Sequence, residues 1–470
     1  MDLRSLAPYC TRVRGRLGFR LDLIAASAFA LCLSLLGLSE FAHAAGSFEA
    51  PAVSTHRLPN GLTLILAPSH RQPVVAVHVW YRAGAMHEPP HQSGLAHLVE
   101  HLMFQETRSL GPGEIFRRLE SAGAYDINAS THPDHTEYFE TVPAQNLETA
   151  LWAEAERMAF MGDSVTESRL EIEKQVVLNE RRESFENRPY GRAQLATYER
   201  LYGVDLSLHY GVIGAASHIA AIQKDMVRQF HARYYRPSNA SVALVGDFRV
   251  DDALELADRY FGRIRSDGAV TAFPTPPPSF PGRAFQVLDP LVDRARVSML
   301  WPGPAPYSAE YFDLRVVAEI FTRSRGERLA ELNVHGEYLE GIAAGVVDIP
   351  GRTLFRLDLQ AAPGANVTMA RRRLEQVLEE FKSRPPSSRE VEAAIRGLET
   401  SLLESLEAGD EQGCARLLQA LHHYAGGADR LSWLLANLSR VNPARVRASA
   451  ERFLPRVAGL VIETFPETRR

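Results

Sequence analysis

The run at 94–104, Gly-Leu-Ala-His-Leu-Val-Glu-His-Leu-Met-Phe, carries His97, Glu100 and His101 in a helical pattern of apolar residues. Four residues apart on a helix, the two imidazoles share one face about a turn apart, the spacing at which two nitrogens can bind one tetrahedral zinc ion. Glu100 follows His97 by three residues on that face. A carboxylate there can take a proton from a water activated by the ion instead of binding the ion, and that division of labour is what metal-assisted hydrolysis requires. With 16 His in 470 residues, a His-x-x-Glu-His pattern arises by chance roughly 0.03 times per chain. Without a further ligand the same residues describe a solvated helix face.

That ligand must come from another element. The helical stretch at 171–183, EIEKQVVLNERRE, sets Glu173 and Glu180 seven residues apart, so both project from one side, around the apolar Val176-Val177-Leu178. If this helix is packed, its inward carboxylates are costly unless paired or metal-bound; if it is solvated, they are ordinary partners for arginine. The residues alone leave both readings open. His132 and His135, which flank Pro133-Asp134, and the pair His422-His423 read as structural or solvated, and Cys414 as a small buried residue.

The elements that must hold these groups follow from periodicity. β-rich runs at 61–66 and 74–81 read as two adjacent strands, the first preceded by the turn Pro59-Asn60-Gly61. Helices are expected at 94–104, 113–122, 147–161 and 167–185, with a strand at 136–142. At 271–282 five of twelve residues are proline, which marks a stiff connector. The expected division is a leader at 1–44, a zinc-bearing domain at 45–270, a proline-rich linker at 271–284 and a second domain at 285–470. The two halves repeat each other: Trp80 and Trp301 close similar strands 221 residues apart, and the valines of VRQFHARYYRP and VRASAERFLP stand 219 apart.

His97-Leu98-Val99-Glu100-His101, followed by Glu173-Lys174-Gln175-Val176-Val177-Leu178-Asn179-Glu180, resembles the pitrilysin family of inverted-motif (M16-type) zinc peptidases, which includes insulin-degrading enzyme and the mitochondrial processing peptidase. Pro59-Asn60-Gly61-Leu62, Asn128-Ala129, Thr136-Glu137-Tyr138, Glu154 to Met158 and Tyr234-Tyr235-Arg236-Pro237 fit the same pattern in order. The resemblance implies an α+β fold of two homologous domains, each a mainly antiparallel sheet covered by helices (a pitrilysin/LuxS-like metallohydrolase fold). It implies one Zn2+ per chain held by His97, His101 and Glu180, with Glu100 as general base and Glu173 as a catalytic-site carboxylate supporting the ligands. An edge strand at Asn128 and Ala129 would pair with substrate, and Arg328 and Tyr338, with Arg325 beside them, would grip it. Asn333 stands near the place where the family's arginine is sought. At the 221-residue offset His97 and His101 fall on Ala318 and Thr322, so the second half cannot hold zinc.

The implied activity is endopeptidase cleavage of short or unfolded polypeptides. The implied assembly is a homodimer or a heterodimer with a related zinc-less subunit; a non-proteolytic structural or peptide-binding subunit is the alternative. A balance of 52 basic against 57 acidic residues, without a basic face, gives no reason to expect nucleic acid. Arg12, Arg14, Arg16 and Arg20 before the uncharged run at 23–38, then Ala42-His43-Ala44, read as a cleaved secretory signal and a periplasmic or secreted protein. An uncleaved membrane anchor is the alternative. With Cys10 and Cys32 removed, Cys414 would have no disulfide partner.

Overall fold

The computed structural model describes residues 52–266, 277–323, 339–349, 351–404, 406 and 411–467. The expected leader, residues 271–276 of the connector, and Arg325, Arg328, Asn333 and Tyr338 lie outside them. Strands β1 (Ser54–Arg57), β2 (Thr63–Pro68), β3 (Val74–Tyr81), β4 (Tyr125–Thr131), β5 (Thr136–Pro143) and β6 (Ala240–Gly246) form one sheet in the order β1-β2-β6-β3-β5-β4. The expectation that β2 and β3 are neighbours is therefore corrected. β6 lies between them, parallel to β2 and antiparallel to β3. Its sequence ASVALVG is buried at every position, and a run with no solvent face belongs at the centre of a sheet.

Eight helices are described in this half: α1 (Leu95–Leu102), α2 (Glu114–Ser121), α3 (Leu147–Ser164), α4 (Glu167–Arg181), α5 (Gly191–Leu201), α6 (Ala216–Ala221), α7 (Lys224–Tyr234) and α8 (Val250–Phe261). Val75, Val77, Val79 and Tyr81 alternate into a core with Leu98 and Leu102 of α1, Leu151 and Met158 of α3, and Phe230 and Tyr234 of α7. The period of two turns His78 and Trp80 to the other face.

A second sheet follows, from β7 (Arg283–Asp289), β8 (Arg296–Pro302), β9 (Leu339–Ile349), β10 (Arg352–Ala361) and β11 (Leu460–Pro466), in the order β7-β11-β8-β10-β9. β11 is parallel to β7 and antiparallel to β8, so the order and sense repeat β2-β6-β3-β5-β4 strand for strand. The two homologous α+β units expected from the repeat are present. Helices α9 (Ala309–Arg323), α10 (Val367–Ser383), α11 (Ser388–Glu404), α12 (Glu411–Tyr424), α13 (Leu431–Ser439) and α14 (Pro443–Phe453) complete the second unit.

One helix from each half crosses to the other sheet. α12 lies over β3, β5 and β6, where the Gln419 amide donates to the carbonyl of His78 at 2.9 Å and the Ser241 hydroxyl donates to Gln419 Oε1 at 2.6 Å. In return Ala193 and Leu201 of α5 pack with Leu300, Leu354, Leu460 and Ile462 of the second sheet. No helix among the described residues is long and apolar enough to cross a membrane.

Candidate active site

α1 is fixed at its start by two residues that its own pattern does not advertise. Gly94 has φ 89°, and a Cβ there would lie 2.9 Å from the Ile213 carbonyl and from the Ile219 side chain. The buried Glu88 carboxylate accepts hydrogen bonds from the backbone N–H of Gly94 (3.1 Å) and of Ala96 (2.8 Å), satisfying helix donors that would otherwise be orphaned. Burial pushes the Glu88 pKa well up, and those N–H donors act against it. Leu95, Leu98, Val99 and Leu102 then anchor the helix in the core, and the same helix carries His97, Glu100 and His101.

α4 supplies the facing carboxylates. Thr166 caps it, its side-chain oxygen accepting from the N–H of Arg169 at 3.2 Å. Of the apolar trio in this helix only Val177 is buried in the core, and Val176 is 41% exposed. This is still enough to seat the helix beside α1. Glu173 is buried at 4% exposure, whereas the Glu180 side chain is 42% open, so depth separates two carboxylates that helical spacing could not.

Three donors converge. Glu180 Oε2 lies 3.6 Å from His97 Nε2 and 3.3 Å from His101 Nε2, and the three ligand atoms are all within 4.8 Å of one another. Ligands at about 2.0–2.1 Å around a tetrahedral zinc ion are roughly 3.4 Å apart, so the set matches that ion in chemistry and in spacing. Glu173 Oε2 faces the other ring nitrogen, His101 Nδ1, at 3.7 Å, which favours the tautomer with its proton on Nδ1 and its lone pair on Nε2. Burial, and then the charge of His101, hold the His97 pKa down to about 4. At His101 burial is the largest effect and also lowers the pKa, but Glu173, Glu180 and Glu100 together outweigh it and raise the value to about 9.

Glu100 is 8% exposed, and its Oε2 accepts a hydrogen bond of 2.5 Å from the Thr131 hydroxyl. Burial raises its pKa and the Thr131 bond acts in the opposite sense. Sequence reasoning misses Thr131 because the contact spans 31 residues and no local pattern signals it. Thr131 ends β4, the outermost strand of its sheet, and Asn128 and Ala129 lie on that edge. Among the described residues no strand pairs with the outer side of β4. In the second half Ala318 and Phe321 are buried at the positions equivalent to His97 and Glu100, and the Thr322 hydroxyl is tied to the carbonyls of Ala318 and Ala344 at 3.0 Å each.

Comparison with known proteins identifies the family. Residues 63–202 match the family model described as insulinase (peptidase family M16), and residues 221–398 match the one described as peptidase M16 inactive domain, together more than half of the chain. The chain is 33% identical over 220 residues to the zinc protease PqqE of Helicobacter pylori, a match covering 47% of this chain and 48% of that protein. It therefore spans about half the length of that relative. Against the uncharacterized zinc protease YmxG of Bacillus subtilis it is 24% identical over 407 residues, covering 85% of this chain and 95% of the relative. The crystal structure of a protease from Helicobacter pylori superposes with a TM-score of 0.82 at 23% identity, covering 89% of this chain and all of that one.

Proposed function

Because this chain belongs to the pitrilysin-type M16 (insulinase) peptidase family, we propose that it is a zinc-dependent endopeptidase that hydrolyses extended peptide segments of short or unfolded polypeptides. The observation that carries the reading is the convergence of His97, His101 and Glu180 within 4.8 Å beside the buried Glu100. Zinc held by those three side chains would polarise the scissile carbonyl and bring the pKa of a coordinated water to about 7. Glu100 takes the proton of the attacking water and returns it to the leaving amine, and Thr131 holds its carboxylate toward the site. Glu173 keeps His101 in the tautomer whose Nε2 lone pair faces Glu180. The unpaired edge of β4 at Asn128 and Ala129 aligns the substrate backbone by adding it as a strand, which gives affinity with little demand on side chains.

The second half is non-catalytic in this reading, consistent with Ala318 and Thr322 at the metal-ligand positions. The protein works in the periplasm or outside the cell after loss of its leader, as a homodimer or with a related zinc-less subunit. A quenched peptide pool supplies the test. Glu100→Gln should retain zinc and lose at least a hundred-fold in kcat. Cleavage by the zinc-loaded variant at near the wild-type rate would refute the assigned base.

A further inference from the structure

The face of the first sheet turned toward α12 carries a second group of metal-binding side chains. We propose that His132, His135 and Glu137, with His78 behind them, form a second zinc-type site separate from His97, His101 and Glu180. Ligand atoms of His132, His135 and Glu137 all lie within 4.8 Å of one another. Glu137 Oε1 is 3.6 Å from His132 Nε2, and Glu137 Oε2 is 3.4 Å from His78 Nε2. These separations are longer than the usual range, about 2.7–3.2 Å, of a hydrogen bond. They match the roughly 3.4 Å expected between ligands of one tetrahedral ion, and they are close to the 3.6 and 3.3 Å found in the His97, His101 and Glu180 set.

The second observation is His78. Its side chain is wholly buried, neither ring nitrogen has a hydrogen-bond partner, and Nε2 is aimed at Glu137, whose side chain is only 5% exposed. Polar groups buried in that state are costly unless something fills the space between them. His135 stacks on Trp80 and on the His132 ring, which would turn to share an ion with it, and one of its ring nitrogens is already engaged. Its Nδ1 is 2.8 Å from Asp134 Oδ1, the Tyr424 hydroxyl donates to Asp134 Oδ2 at 2.7 Å, and Nε2 is left as the nitrogen with a lone pair to give. Asp134 stands to His135 as Glu173 stands to His101. The His132 side chain is 41% exposed and gives an ion its way in. Arg416, 3.7 Å from Glu137 Oε1, is 54% exposed and can turn to solvent when an ion takes over its charge.

Imidazole-rich donors with one carboxylate select zinc and its neighbours over calcium or magnesium. An ion there would pin the turn between β4 and β5, next to the Thr131 that holds Glu100. The test is zinc stoichiometry of the tag-free protein equilibrated at buffered micromolar free zinc. Wild type should hold two equivalents, His132→Ala one, the double variant His97→Ala/His101→Ala one, and the triple variant none. Cobalt in the double variant should show the visible absorption of a tetrahedral site. His132 is exposed enough for its alanine variant to fold, and Glu137→Gln gives an independent loss of the same equivalent. A double variant that holds no metal while wild type holds one overturns the second site. A single equivalent lost only with His132→Ala supports it and refutes instead the assignment to His97 and His101.

Discussion

Glu173→Gln separates a residue that orients a ligand from one that does chemistry. The glutamine keeps the size of the buried side chain and removes the charge that faces His101 Nδ1 at 3.7 Å. Two full charges at that distance interact by about 4 kcal/mol at an effective dielectric of 20. An imidazole bound to a metal carries only part of that charge on its N–H, so the loss should be a fraction of this figure. Carboxylates that support metal-bound histidines in this way are worth 10–100-fold in metal affinity, about 1.4–2.7 kcal/mol. The assay is competition with a chromogenic zinc chelator, followed by peptide turnover at saturating zinc. Zinc affinity should fall 10–100-fold, and most of kcat should return once the site is loaded. Glu100→Gln should give the converse, with affinity kept and turnover lost. If Glu173→Gln leaves zinc affinity unchanged, the proposed role of Glu173 at His101 is wrong and its contact with Arg169, at 3.8 Å, is its function.

Glu180→Gln should weaken zinc far more than Glu173→Gln does, because it removes a ligand; equal losses in the two variants would contradict the ligand assignment. Arg157 is wholly buried, 2.7 Å from Glu154 and 3.8 Å from Glu140, with its guanidinium over the rings of Phe104 and Tyr138. Arg157→Met strands two buried carboxylates and should cost about 3–5 kcal/mol in urea unfolding, part of which Glu140→Gln should restore; an unchanged midpoint would refute this. Burial holds the His231 pKa down to about 4, against about 6.5 in the unfolded chain. The unfolded state therefore takes up the proton first: the contribution is fully present above pH 6.5 and fades toward pH 4, up to about 3 kcal/mol. His231→Gln should flatten that part of the unfolding profile, and a slope as steep as wild type would count against it.

The helix α1 is legible in the sequence because a helix repeats every 3.6 residues, so the spacing of His97, Glu100 and His101 already states their common face. The choice between Glu173 and Glu180 is not, because seven residues return to the same side and depth depends on what the helix packs against. Glu88 escapes notice for a related reason. It caps α1 with a buried carboxylate six residues before the first bonded N–H, whereas sequence patterns look for a small polar residue at the cap itself. The adjacency of β2 and β3 is inferred from chain order, yet β6 enters between them from more than 150 residues away. Its largely apolar run, ASVALVG, suits a central strand but does not say which neighbours it takes.

The exchange of α5 and α12 bears on what the second half contributes. α12 covers the face of the first sheet that carries His78, Trp80 and Glu137, with His423 within 4.9 Å of the Trp80 ring and Gln419 bonded to the His78 carbonyl. Cut at the connector, the first half would expose that face to water. It would also lose the apolar partners of Leu201 and Ala193 on the second sheet. Apolar surface stripped of its cover costs roughly 25 cal/mol per Å2, and that loss falls on a stability that is ordinarily about 5–15 kcal/mol. The second half is thus held in place by packing, since the sheet that positions Thr131 against Glu100 is closed by a helix from the other end of the chain.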